Sequence, residues 1–179
     1  GNAPTLPKVG TMPPAPLSPY ALQKLVGEQY CQMFSQLYGL ETVTIRYFNV
    51  FGPWQDPSSP YSGVISIFNC RFRAGEAAAV YGDGDQTRDF ISVHDVAAAN
   101  GRAALKPGLT SGVANICTGR STSLRQLVQE FARHFPNCPA PQFAAARSGD
   151  ILHSLGDSAE AERALGFRAE VNLESGLTG

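Results

Sequence analysis

The stretch "SPYALQK", Ser18 to Lys24, sets a tyrosine and a lysine four residues apart, directly after nineteen residues that contain six prolines. Ser18 suits an N-cap and Pro19 the first helical position. Apolar Leu22, Leu25, Val26, Met33, Phe34 and Leu37 then recur at helical spacing until Gly39, a natural stop. A helix stacks positions i and i+4 on one face, so Tyr20 and Lys24 present a phenol beside an ammonium. A phenol with an ordinary pKa near 10 is a poor base at neutral pH. A cation one turn away stabilises the phenolate and makes the group a usable acid and base. An exposed tyrosine beside a solvated lysine has the same spelling, and the pair alone does not choose.

The elements that must position this pair are legible in outline. The chain has 179 residues, 43% hydrophobic and 16% charged, which is enough for one domain with a real core and unlike a disordered chain. A net charge of −1 gives no global pull toward nucleic acid or an anionic membrane. No apolar run reaches a membrane span, and no signal pattern opens the chain. Cys31, Cys70, Cys117 and Cys138 lie far apart without a CxxC pair. They read as four reduced thiols of a cytoplasmic protein. His94, His134 and His153 form no metal pattern.

Residues 1–19 read as an extended or looped segment. Strands are expected at 41–48 ("ETVTIRYF"), 78–81, 88–93, 112–119 and 141–146. Helices are expected from Val64 to Gly75, over 94–105, over 121–135, and as a short helix late in 147–167. The segment "NVFGPWQDPSSPYSG" between the first strand and the Val64 helix reads as a loop. Strands alternating with helices imply α/β layering. The only GxG, Gly82-Asp83-Gly84, sits between two short strands and reads as a tight turn.

Taken in order, "SPYALQK", "RYFNVFGP", "YGDGDQTRDFISVHDV" and "RSGDILHSLGD" closely resemble the extended short-chain dehydrogenase/reductase family. Within it the nearest likeness is to the UDP-hexose 4-epimerases, including those acting on UDP-N-acetylhexosamines. Family members begin with a Gly-rich Rossmann half and a catalytic Ser/Thr, and this chain starts too late to include either. The resemblance therefore implies the C-terminal part of an NAD(P)-binding Rossmann-like domain plus the small α/β substrate-binding domain, with the N-terminal Gly-rich half absent. Residues 1–62 would be the remnant of the cofactor domain. Residues 63–179 would be mainly the substrate domain, with segments returning to the first.

The resemblance also implies roles. Tyr20 matches the acid/base tyrosine and Lys24 its partner, both of them also touching NAD. Tyr47 and Phe48 match the strand end beside the nicotinamide ribose, although core aromatics have the same spelling. Asn49 matches a diphosphate ligand, or is a turn former. Val64 and Ile65 match the helix start at the uracil, or are plain core positions. Tyr81 matches an aromatic at the uridine. Arg88 and Arg147 match the arginines that neutralise the diphosphate, where a planar fork gives bidentate, charge-assisted bonds. Their rival partners are Asp85 or Asp89 for Arg88, and Asp150 for Arg147. Asp150 matches the carboxylate at the uridine ribose. Ser154 matches a position where a small residue leaves room for an N-acetyl group.

The implied activity is NAD-dependent 4-epimerisation of a UDP-sugar by transient oxidation at C4, in a homodimer formed through the Tyr20 helix. The 179 residues alone are expected to be inactive. A sugar-nucleotide 4,6-dehydratase or decarboxylase shares most of these motifs. A nucleotide-sugar-binding module without catalysis is the reading of another class.

Overall fold

A computed structural model describes residues 4–59, 62–109, 112–147 and 149–178. Pro60 and Tyr61 of the expected loop, and Ser148 of "RSGD", fall outside that range. In chain order the first elements are α1 (Pro19–Tyr38), β1 (Val43–Tyr47), β2 (Asn49–Phe51), α2 (Val64–Arg73), β3 (Ala79–Tyr81), β4 (Thr87–Arg88) and β5 (Phe90–Ser92). They are followed by α3 (Val93–Leu105), β6 (Gly112–Ile116), β7 (Thr122–Ser123), α4 (Leu124–His134), β8 (Gln142–Ala144), α5 (Ala159–Leu165) and α6 (Leu173–Thr178).

The signals at the ends of α1 act as the sequence implies. The Ser18 hydroxyl accepts from the Ala21 N–H at 3.1 Å, and Gly39 closes the helix at φ 66° with its N–H on the Ser35 carbonyl. Similarly, α4 opens with a capping box in which Ser123 and Gln126 satisfy each other's backbone donors.

Two expected elements are built differently. The run after β1 is not loop from Asn49 onward. Phe48 N–H still bonds the Ile116 carbonyl of β6, while Asn49 N–H bonds the Asp89 carbonyl and begins β2. One extended stretch thus leaves β6, to which β1 pairs in parallel, and joins β5. The strand expected at 88–93 is split in the same way at Asp89, into β4 and β5. Strands of two or three residues carry too little pattern to be seen without their partner.

The switch separates two cores. Phe51 and Phe90 point into one, with Phe68, Phe72, Leu127 and Phe131 of α2 and α4. Val50 and Ile91 point into the other, with Ile116, Leu165 and Phe167. The β2–β5 pair is the wall between them, its alternating side chains shared out by the two-residue period of a strand.

None of the twenty residues of α1 is fully buried. Leu25, Glu28, Cys31 and Ser35 are half-buried on the side that meets β1, whereas Leu22, Val26, Tyr30, Met33 and Leu37 form an exposed stripe on the other side. No described helix is long and apolar enough to cross a membrane.

Candidate functional site

Tyr20 and Lys24 lie in the first two turns of α1, with Lys24 Nζ over the phenol ring, 5.3 Å from its centroid. Tyr20 is half exposed at 51%. The helix is clamped to β1 by Arg46, whose Nε and Nη2 bond the two oxygens of Glu28 at 2.9 and 2.7 Å. The third nitrogen, Nη1, holds the Gly10 carbonyl at 3.1 Å. Thr42 adds a hydroxyl donated to the Cys31 carbonyl.

A second group of residues gathers along β4. Segment 152–154 lies beside it: Thr87 N–H donates to Leu152 O at 2.9 Å, and Ser154 N–H donates to Thr87 O at 3.0 Å. Thr87 Oγ1 and His153 Nδ1 are 3.1 Å apart. The Arg88 guanidinium donates to the carbonyls of Thr87 and Leu152. Burial pulls its pKa below the usual arginine value, and the charge of Asp150 opposes that pull. A cation kept in surroundings that penalise its charge is stabilised by an incoming anion.

Asp150 belongs to a turn whose N–H reaches the Arg147 carbonyl at 3.4 Å, and the Arg147 guanidinium lies 3.7 Å from the Tyr81 ring centroid. Tyr81, Arg147, Asp150 and Arg88 are thus linked neighbour to neighbour in a line, and half-buried Ser154 bonds the Thr87 carbonyl just before Arg88. Asn49 joins it through the backbone, since its N–H bonds the carbonyl of Asp89, the residue after Arg88.

The rival ion pairs do not form. Asp85 pairs instead with Arg125 at 3.0 Å. Arg147 packs on an aromatic ring, with no ion pair to Asp150 among the described residues. Asp89 is wholly buried. Its Oδ1 accepts from Thr118 N–H at 2.8 Å and Thr118 Oγ1 at 2.7 Å, and its Oδ2 from the N–H groups of Gly119 at 3.0 Å and Gly156 at 3.3 Å.

Other expected site residues have structural duties. The Tyr47 hydroxyl donates to Asn100 of α3. The Phe48 ring sits against Gly156, where a Cβ would stand 2.7 Å from Phe48 Cζ and 2.5 Å from Cys117 Sγ. Ile65 is buried in the first core and Val64 packs against it, so at these two positions the side chains serve packing. The backbone N–H groups that open α2 have no side-chain cap. Among the described residues no three His, Cys, Asp or Glu side chains gather as a metal site.

Sequence reasoning missed three anchors, Asp89, Gly156 and the Arg46–Glu28 pair, and the structure gives more than a helix-start charge to a fourth, Asp95. The last is 5% exposed, and its two oxygens accept from Glu170 and Val171 N–H at 3.1 Å each. Only for Asp95 was there a local signal, its place in the first turn of α3. The hydrogen bonds of the others join residues 18 to 67 apart in sequence.

Cys117, buried beside Asp89, carries an expected result. Burial first, then the Asp89 charge, push its thiol from 9.0 up to about 12. At neutral pH it stays protonated and enclosed, while Cys70 is exposed. A chromogenic disulfide reagent on the folded chain is expected to label Cys70 and leave Cys117 unmodified until denaturant is added. Between pH 9 and 12 the unfolded chain holds the weaker grip on this proton, so stability falls across that window, and Cys117→Ala flattens the fall.

For NAD, the residues present fit one end. The Tyr20–Lys24 pair offers a hydroxyl and an ammonium at an exposed helix edge, suited to a nicotinamide ribose. The Gly82–Gly84 turn does not fit the other end. It links β3 to β4, both glycines are left-handed at φ 81° and 83°, and a Cβ at Gly84 would meet Arg125 at 3.0 Å.

Comparison with known proteins gives this geometry a family. The family described as "NAD dependent epimerase/dehydratase family" matches residues 1–117. A putative UDP-glucose 4-epimerase of Methanocaldococcus jannaschii is 37% identical over 96% of this chain and 55% of its own length. A UDP-glucose 4-epimerase of Mycolicibacterium smegmatis is 37% identical over 99% of this chain and 56% of its own. The crystal structure of a Thermotoga maritima UDP-glucose 4-epimerase with UDP-glucose superposes with a TM-score of 0.93 at 38% identity, covering 98% of this chain and 56% of that one. A UDP-N-acetylglucosamine 4-epimerase from Methanobrevibacter ruminantium, in complex with UDP-N-acetylmuramic acid, gives 0.92 at 36%, covering 99% and 58%. The chain spans about half the length of the curated relatives it matches. With an α/β fold, a Tyr-Lys pair one helical turn apart and a family match over most of its length, this chain belongs to the NAD-dependent epimerase/dehydratase family.

Proposed function

We propose that these residues form the substrate side and the proton-transfer pair of an NAD-dependent UDP-sugar 4-epimerase. The observation that carries the reading is the line Tyr81–Arg147–Asp150–Arg88, a partly buried guanidinium and a second one stacked on an aromatic, beside a carboxylate. That set suits a nucleoside diphosphate: forked donors for phosphate oxygens, an aromatic face for the base, an acceptor for ribose hydroxyls. Asn49 adds a polar side chain, and the uncapped start of α2 at Val64 and Ile65 offers backbone donors to a uracil.

Bound NAD supplies the hydride acceptor and donor at the sugar C4. Tyr20 takes the proton from the 4-hydroxyl and returns it to the same oxygen after the sugar has turned, and Lys24 holds the phenolate and a ribose hydroxyl. Tyr47 and Phe48 border this end with their backbone while their side chains brace it. Arg88 and Arg147 keep the diphosphate in place while the sugar turns, so remote binding energy retains the intermediate. Small Ser154 leaves room for an N-acetyl group, which makes UDP-N-acetylglucosamine a substrate alongside UDP-glucose.

Residues 1–62 then belong to the cofactor domain and 63–179 mainly to the substrate domain, with β6 and α5 returning to the first. The pairing of β1 with β6, and the separate core on that side, support this division. The working enzyme is a cytoplasmic homodimer in which a second copy covers the Leu22, Val26, Tyr30, Met33 and Leu37 stripe. The 179 residues by themselves turn over no substrate, since no pyrophosphate turn is among them.

The test is calorimetric titration of UDP into the folded chain. Arg88→Leu is expected to weaken binding by about 10- to 100-fold, the loss of charge-assisted bonds of about 1.5–3 kcal/mol. Absence of heat at millimolar UDP with a folded sample would sink the reading.

A further inference from the structure

Lys24 has two polar helical neighbours one turn away, Tyr20 at i−4 and Glu28 at i+4. Its ammonium lies over the Tyr20 ring, and none of the ion pairs among the described residues includes it. Glu28 is the stronger attractor for a cation on charge alone, and its side chain is only 10% exposed, where an unpaired carboxylate is costly. Both of its oxygens are, however, taken by Arg46, in the two parallel bonds of a bidentate pair. The third nitrogen of Arg46 is fixed on the Gly10 carbonyl, so the fork cannot turn away.

We propose that Arg46 is a positioning residue that keeps Lys24 on Tyr20 by sequestering Glu28, the carboxylate that would otherwise take the lysine. Arg46 touches no reacting group. It acts through Glu28 and Lys24, and ties the charge of the proton-transfer pair to the register of α1 on β1. The inference rests for its functional meaning on the epimerase reading, but the contact itself is measurable without cofactor or substrate.

Gly27 supplies an independent handle. It is the i+3 neighbour of Lys24, it is exposed, and a Cβ there meets nothing within 4 Å. Gly27→Glu sets an unsequestered carboxylate one turn below the lysine without touching the clamp, and a better helix former at that site does not threaten folding.

The experiment is NMR of the full chain labelled at the lysine ε-carbon. The chain has three lysines, Lys8, Lys24 and Lys106, and Lys24→Arg assigns the signal. In the parent, the Lys24 ε-methylene protons are expected to be displaced upfield by the ring current of Tyr20, a displacement that Tyr20→Leu abolishes. Arg46→Met and Gly27→Glu are each expected to remove the displacement. Arg46→Met combined with Glu28→Gln, and Gly27→Gln alone, are expected to keep it. A Lys24 signal that stays displaced in Gly27→Glu would overturn the proposal, as would one that moves equally in Gly27→Gln. Should Arg46→Met not fold, the Gly27 pair decides. Failure here leaves UDP binding intact, whereas failure of the functional reading shows as absent UDP binding with the ring displacement in place.

Discussion

Tyr20→Phe in the intact enzyme is expected to lower the turnover number for UDP-glucose by about 10²–10⁴-fold, the usual worth of a positioned general acid–base group. UDP affinity is expected to remain unchanged. The phenyl ring keeps the packing and the face over which Lys24 Nζ sits, so only the ionisable oxygen is removed. Because Tyr20 lies on α1 and the diphosphate line lies along β4, binding and proton transfer are carried by separate elements. Steady-state kinetics with calorimetry of UDP on the same sample checks both halves. A variant that keeps full turnover would remove Tyr20 from the chemistry, and one that loses UDP affinity equally would make its role structural.

Asp89→Ala is expected to destabilise the chain by about 3–5 kcal/mol, the cost of several buried donors left without their acceptor after partial relaxation. The carboxylate is wholly buried and accepts from Thr118 N–H, Thr118 Oγ1, Gly119 N–H and Gly156 N–H, so alanine orphans four donors at once. Each orphaned group costs about 1–3 kcal/mol before relaxation. These bonds join the strand run that carries Arg88 to the turn after β6 and to the segment two residues beyond Ser154. The loss should therefore be accompanied by weaker UDP binding. Asp89→Asn keeps one acceptor oxygen and should fall between the two. Urea unfolding reads the effect, and a change under about 1 kcal/mol, the level of an ordinary hydrogen bond, would contradict the assignment.

What could be seen in the sequence followed how local its cause was. Helix α1 was legible from end to end, because Ser18, Pro19 and Gly39 each act on the backbone within four residues. The Tyr20–Lys24 contact followed from helical periodicity alone. Asp89 was not legible. A charged residue inside an apolar run looks like a surface position or an ion-pair partner, and only the arrival of Thr118, Gly119 and Gly156 makes it a buried acceptor. The exchange of partners at Phe48–Asn49 was hidden for the same reason, since β2 is a strand only because β5 lies beside it. At Ile65 two demands coincide, the start of α2 and the first core, and the spelling does not separate them.

In the proposed reaction a UDP-sugar is inverted at C4, the hydride leaving and returning to the same carbon while Tyr20 handles the proton. The most direct measurement is proton NMR of products formed by the intact enzyme in deuterated water, with UDP-glucose and UDP-N-acetylglucosamine offered separately. The expected products are the C4 epimers, each with its original C4 hydrogen and no deuterium there. A 4-keto-6-deoxy product, or deuterium at C4, would contradict it.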